Sequence, residues 1–214
     1  GKVWPEPNSS AAGTRMLQLI HYFKKENYQV TFLSHAKQTD FQEDLSQLPI
    51  SIDSVEVNSS AFDERIKELN PQIVIFDRFM TEEQFGWRVM DQCPSALRIL
   101  NTEDLHFLRK ARQEAVKTGI ELSLDMYRSD LMLRELASIH RSDVSLMVSD
   151  YEVELLQNAY GISPEKLVHL PFYCEPVEAS TTSFKDREGF LFIGNFWHEP
   201  NLDAVRYLKS TLWP

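Results

Sequence analysis

The stretch Gln72-Ile73-Val74-Ile75-Phe76-Asp77 carries four apolar residues in a row between polar ends. A strand with one wet face alternates apolar and polar residues. An unbroken run of strand length fits a strand covered on both faces, as in a parallel sheet flanked by helices. Leu191-Phe192-Ile193 has the same character. Outward from 72–77, further strands are expected at residues 29–34, 54–57, 96–101, 144–149, 167–170 and 189–194. Helical segments lie between them. Residues 14–26 space Met16, Leu17, Leu19, Ile20 and Phe23 for one buried stripe. Helices follow at 61–69, 81–92, 104–118, 128–140, 151–160 and 202–210, with Ser60 and Thr81 as expected N-caps and Gly161 as an expected C-cap. A β-α-β-α succession predicts an α/β fold: a doubly wound, mostly parallel, Rossmann-like sheet with helices on both faces.

A hydrophobic share of 43% and a charged share of 25% are those of an ordinary globular chain. The net charge of −10 and the scattered Lys and Arg residues argue against a nucleic-acid partner, whose phosphates would demand a basic face. Phosphate binding at one helix N-terminus stays open. The two cysteines, Cys93 and Cys174, lie far apart, so a reducing compartment is expected rather than a disulfide scaffold. No apolar run approaches the roughly 20 residues of a membrane helix, and a cytoplasmic location is expected.

The ends carry an expectation of their own. Only Gly1-Lys2-Val3-Trp4 precedes the loop that leads into the first helix. A strand typically has about five or six residues, so the first, central strand is expected to be largely missing. Residues 1–183 read as one Rossmann-like domain. Residues 184–214 read as the first βα unit of a second domain, cut short and open to self-association through its unpaired faces.

Four loops carry groups suited to chemistry. Residues 5–15 end in Ala11-Ala12-Gly13-Thr14-Arg15, small residues at a helix N-terminus where backbone N–H groups can reach an anion. Read alone, they are equally an ordinary turn capped by Thr14. Asn101-Thr102-Glu103-Asp104-Leu105-His106 follows a strand directly, placing titratable groups in the crevice where α/β sheets bind ligands. Asp104 can act as a base and His106 can assist it, while Thr102 or Asp104 can equally cap the helix. Arg109 and Arg112, three apart, can meet a phosphate or simply form a solvated face. Ser149-Asp150-Tyr151-Glu152 again opens a helix, with Ser149 or Asp150 as cap and Glu152 in support. Gly194-Asn195-Phe196-Trp197-His198-Glu199-Pro200-Asn201 closes the series; Gly194 permits close approach and Asn201 can cap the helix that follows. No metal-ligand spacing stands out.

In this order, the loops at 5–15, 101–109, 143–152 and 192–205 resemble the N-terminal domain of group 1, family 4-like glycosyltransferases. The resemblance implies one half of a GT-B fold, with a nucleotide-sugar donor and a glycan or lipid-linked acceptor as substrates. It implies transfer with retention, no metal or other cofactor, and a parent that contacts the inner face of a membrane peripherally. By the same resemblance Ala12, Gly13 and Thr14, with Gly194 and Asn195, would meet the donor diphosphate. Asp104 and His106 would be catalytic. Asn8, Arg15, Glu103, Arg109, Ser149 and Glu152 would line the cleft or acceptor side. The family often has a Gly pair where this chain has Ala12-Gly13. Its donor-side clamp of basic residues and paired glutamates would lie after Pro214, so the chain by itself is expected to be inactive. A GT-B-shaped nucleotide-sugar epimerase and a non-enzymatic partner-binding module are the alternatives.

Overall fold

The computed structural model describes residues 1–173, 182–196 and 198–213; Cys174 and Trp197 lie outside the described residues. The fold is α/β, with parallel sheets and helices on both sides in the manner of a Rossmann-like doubly wound domain. Strands β1 (Thr31–Ser34) and β2 (Ser51–Ser54) form one parallel pair, with Thr31 opposite Ser51. Strands β3 (Ile73–Asp77), β4 (Leu97–Asn101), β5 (Val144–Met147) and β6 (Leu167–His169) form a second parallel sheet in that order. Its register sets Asp77 beside Asn101 and Asn101 beside Leu146, which brings three carboxyl-terminal strand ends together.

Helices α1 (Ala11–Lys25), α2 (Ser60–Leu69), α3 (Phe79–Gln92), α4 (His106–Thr118), α5 (Asp130–Arg141) and α6 (Asp150–Tyr160) lie where the apolar periodicity places them. Gly119 and Gly161 end α4 and α6 in the left-handed conformation, at φ 66° in each case. The main core joins Phe76, Leu100 and Met147 of the sheet to Val89, Phe107, Leu108, Ile139 and Leu156 of the helices. A smaller core of Trp4, Ile20, Phe32 and Leu45 lies under the β1–β2 pair. Helices α3 and α5 are also joined by charge. Arg141 makes a two-pronged contact with Glu82, a buried carboxylate, and Arg134 does the same with Glu83. Cys93 is buried and reduced, with its Sγ 3.3 Å from the Ile66 carbonyl.

Several expected boundaries move, each for a local reason. The second strand forms at Ser51–Ser54, not at 54–57, because the Ser51 N–H is taken by the Val30 carbonyl and pairing proceeds from there. Helix α2 is capped by Ser59 Oγ, which accepts from Ala61, so Ser60 lies inside it. Thr81 does not cap α3: its hydroxyl donates to the Asp77 carbonyl at 2.7 Å, inside a helix that begins at Phe79. The strand expected at 189–194 is not formed. Phe190, Leu191 and Ile193 are exposed, and a strand needs a neighbour to take its backbone groups. The C-terminal helix α7 (Glu199–Tyr207) begins earlier than expected and continues as a π-helical turn over Leu208–Leu212. Glu199 fastens it to α4 through Gln113 and Lys117. Asn201 does not cap it by side chain; its Nδ2 donates to the Asn195 carbonyl instead.

Helix α1 starts three residues before the expected site because Ser10 Oγ accepts the Gly13 N–H at 3.0 Å. Thr14, expected to be the cap, sits one position past this bond and donates its hydroxyl to the Pro7 carbonyl. Gly13 is pressed against the backbone of Glu6, and a Cβ there would lie 2.5 Å from it. Replacing Gly13 by Ala should therefore lower stability by about 1–3 kcal/mol, since the loop and helix must separate to admit the methyl. A urea midpoint equal to that of the parent protein would show that the loop does not depend on this contact.

Candidate functional site

The parallel register gathers polar groups at the carboxyl ends of β3 and β4, beneath the first turns of α1. Asn101, the last residue of β4, is fully buried. Its Oδ1 accepts from Arg15 Nε at 3.0 Å, and its Nδ2 donates to Glu103 Oε1 at 2.6 Å. Arg15 is itself buried. One terminal nitrogen donates to the Pro171 carbonyl at 3.2 Å, and the guanidinium lies 5.7 Å from the Phe172 ring centre. Its other terminal nitrogen has no hydrogen-bond partner among the described residues. Burial lowers the Arg15 pKa, partly offset by Glu103.

Two residues here occupy backbone conformations that their side chains disfavour. Five described non-glycine residues have positive φ, and three are asparagines, which tolerate it. The other two are Arg78 and Glu103, each just past a strand end of this crevice. Arg78 has φ 68° and ψ 158°, a region that is almost exclusive to glycine. It is held there by its N–H, which donates to the Asn101 carbonyl at 2.8 Å, while its carbonyl accepts the Thr81 N–H. Its side chain runs beside Asp77, with Nε 3.7 Å from Oδ1. Strain of this kind concentrates at functional sites, where the fold over-determines a geometry. Nothing in the sequence marks Arg78, Asp77 or Asn101 beyond their places at strand ends.

The next turn holds the expected catalytic pair. Asp104 Oδ2 meets Arg109 at 2.8 Å, and its other oxygen lies 3.9 Å from His106 Nδ1. His106 is half-buried, with Nδ1 3.0 Å from Glu135 Oε1 and its ring edge-on to Phe79. Asp104, His106 and Arg109 are therefore together, but the helix is capped by neither Thr102 nor Asp104. The caps come from other helices. Glu135 of α5 accepts the His106 and Phe107 N–H groups at 2.8 and 2.7 Å, and Glu152 of α6 accepts the Leu105 N–H at 3.0 Å. Glu152 thus supports α4 rather than its own helix; Ser149 holds the N-cap position of α6 without a side-chain bond, and Asp150 accepts from Tyr151. Arg112 stacks over Tyr151 at 5.0 Å.

Ala12 is partly buried beside this crevice, the Gly13 N–H is occupied by Ser10, and Asn8 and Thr14 are exposed. A Cβ on Gly194 would meet Phe192 and Asn201, and the Asn195 carbonyl accepts from Asn201 Nδ2. The Glu199 contact docks the following helix on the far turns of α4, away from His106. A cavity of about 900 Å³ lies elsewhere, between β1 and β3. Among the described residues no cluster of three or more His, Cys, Asp or Glu side chains is placed to hold a metal.

Burial pushes the carboxyls of Glu103 and Glu152 upward, with hydrogen bonds from Asn101 and Leu105 opposing the shift. The folded state therefore keeps these protons at a pH where the unfolded chain has lost them. Both groups withdraw stability as pH rises through the interval above the ordinary glutamate range. Together the crevice offers a buried cation with a spare donor, a strained arginine, the carboxyls of Asp77, Glu103 and Asp104, and a half-buried imidazole. These can recognise hydroxyls and an anion, and can move a proton.

If Arg78 is held in its conformation at a cost, Arg78→Gly should raise stability by about 1 kcal/mol, the relief of strain exceeding the entropy of glycine. A thermal midpoint that falls would mean the side chain contributes more than the backbone costs. No protein-family model matches the chain, and no curated protein is detectably similar to it.

Proposed function

We propose that the chain is the acceptor-side half of a GT-B glycosyltransferase, whose parent moves a sugar from a nucleotide-sugar donor to a glycan or lipid-linked acceptor with retention. The observation that carries this reading is the gathering of Arg15, Arg78, Glu103, Asp104 and His106 at the carboxyl ends of two adjacent parallel strands. That edge is where open α/β sheets bind ligands. Glu103, Asp104 and Asn101 supply acceptors and donors suited to sugar hydroxyls, and Arg15 has a nitrogen to spare for an acidic group. In this reading Asp104 takes the acceptor hydroxyl proton, which its proximity to His106, itself held by Glu135, supports. In this reading the donor is held mainly by a second domain after residue 214, its first loop being that of Gly194 and Asn195. The reaction would take place in the cytoplasm or at the inner face of the membrane. Among the described residues no helix is long and apolar enough to cross a membrane.

A non-enzymatic reading, as a partner-binding module, draws on the exposed Phe190, Leu191, Ile193 and Trp213 near the C-terminal end. Turnover decides between the two. In the two-domain parent supplied with a panel of nucleotide sugars and acceptors, Asp104→Asn should lower kcat by about 10²-fold or more while the thermal midpoint stays put. An unchanged kcat would remove Asp104 from the chemistry, and turnover by the 214-residue chain alone would overturn the division of labour between the halves.

A further inference from the structure

Arg15 is the buried cation of the crevice, and its charge is poorly balanced. Only 3% of the residue is exposed. Among the described residues the closest carboxylate is that of Glu103, whose Oε1 lies 3.9 Å from Nε, beyond hydrogen-bonding distance. That oxygen takes its hydrogen bond from Asn101 instead, and burial pushes the Glu103 carboxyl upward, toward its neutral form. Arg78 has Asp77 beside it, so the charge left to be met is that of Arg15. A buried cation without a hydrogen-bonded counterion is costly, and the cost falls when an anion joins it.

The guanidinium has one edge engaged and one nearly vacant. Nε donates to Asn101 Oδ1 at 3.0 Å. The end edge is formed by the two terminal nitrogens, a fork that a carboxylate can meet with both oxygens. One of them, Nη2, is buried without a partner among the described residues, and the other donates only to the Pro171 carbonyl at 3.2 Å. A neutral carbonyl thus stands where a carboxylate would be the stronger acceptor. The cover over this edge is light. Past β6 the Leu170 N–H donates to the Met147 carbonyl at 2.7 Å, the Phe172 ring centre lies 5.7 Å from the Arg15 guanidinium, and the Tyr173 carbonyl accepts from Gln18 Nε2 at 2.8 Å. Phe172 and Tyr173 are 44% and 61% exposed, so little buried apolar surface holds them down.

We propose that Arg15 is a carboxylate receptor, and that an acid-bearing ligand grips both of its terminal nitrogens and displaces the cover formed by Pro171 and Phe172. That the ligand is a sugar acid rests on the reading of this crevice as the acceptor side of a glycosyltransferase; that it is a carboxylate rests on the geometry of Arg15. A planar, singly charged group matches one guanidinium edge and one unmet charge. A phosphate dianion would bring a second negative charge up to Glu103 and Asp77. Because the cover belongs to the segment by which the chain leaves the sheet, ligand binding and the freedom of residues 171–173 are linked.

The test reads binding by NMR on the 214-residue chain. It needs no turnover, so its outcome is separate from that of the Asp104 assay. Glucuronate should shift the Arg15 Nε–H signal and the amide signals of Phe172 and Tyr173 along one saturable curve, with an affinity about tenfold or more above that of glucose. Inorganic phosphate should bind more weakly than glucuronate. Arg15→Lys keeps the charge but loses the fork, and should weaken glucuronate by about tenfold or more. Phe172→Ala should tighten it, because less cover has to be displaced. No saturable shift at Arg15 in the unsubstituted chain, or equal binding of glucose and glucuronate, would overturn the proposal whether or not the Lys variant folds. Tighter binding of phosphate would overturn the choice of carboxylate. Weaker binding by Phe172→Ala would overturn the displacement, since the ring would then be receiving the ligand.

Discussion

The start of α4 has no capping side chain of its own, and much of the domain is arranged around that lack. Its first positions are Leu105, His106 and Phe107, two of them deep in the core, so their N–H groups cannot turn to water. An unpaired buried donor costs about 1–3 kcal/mol, and a helix start leaves several. Glu135 and Glu152 take these donors with carboxylates, the form of acceptor that a helix N-terminus favours most. These two carboxylates therefore fix three helices relative to one another. It also sets His106, because Glu135 reaches both its backbone and its ring. The imidazole beside the proposed base is thus oriented by the same carboxylate that satisfies the helix.

The crevice beneath α1 follows the same economy. Asn101 is the common partner: its side chain holds Arg15 and Glu103, and its carbonyl holds the Arg78 N–H. Since β3 and β4 are in register at Asp77 and Asn101, the position of Arg78 is set by the sheet and not by its own preference. That is how a residue stays in a glycine-like conformation without being glycine. The strain is local, and the parallel ladder that imposes it is spread over five residue pairs.

The parallel sheet was legible because burial on both faces writes an unbroken apolar run, as at 73–76, and that pattern survives any change of neighbour. Helices with strong stripes were legible for the same reason. The caps were less so. Ser59, Ser60, Thr81, Thr102 and Asp104 all have side chains able to cap, and only the final packing decides which are near a free N–H. Glu135 and Glu152 were illegible as caps for α4, since they lie 29 and 47 residues from the donors they serve. The apolar run at 190–193 misled because a strand is a property of a pair, and a single sequence names only one member. In the candidate site, the cluster Glu103-Asp104-His106 was readable from its place after a strand, whereas Arg78 required knowledge of φ.

The crevice also depends on the first residues of the chain. Asp77 joins the two: one carboxylate oxygen accepts the Lys2 N–H, and the other faces Arg78 in the crevice. Whatever fixes the backbone at Gly1 and Lys2 therefore fixes one side of Asp77, and through it the ion pair beside the strained residue. The same short segment leads, through Trp4 and the loop packed on Gly13, into the helix that carries Arg15. The geometry of the site at the carboxyl edge is in this sense a consequence of how the first residues of the chain are held against β1 and Asp77.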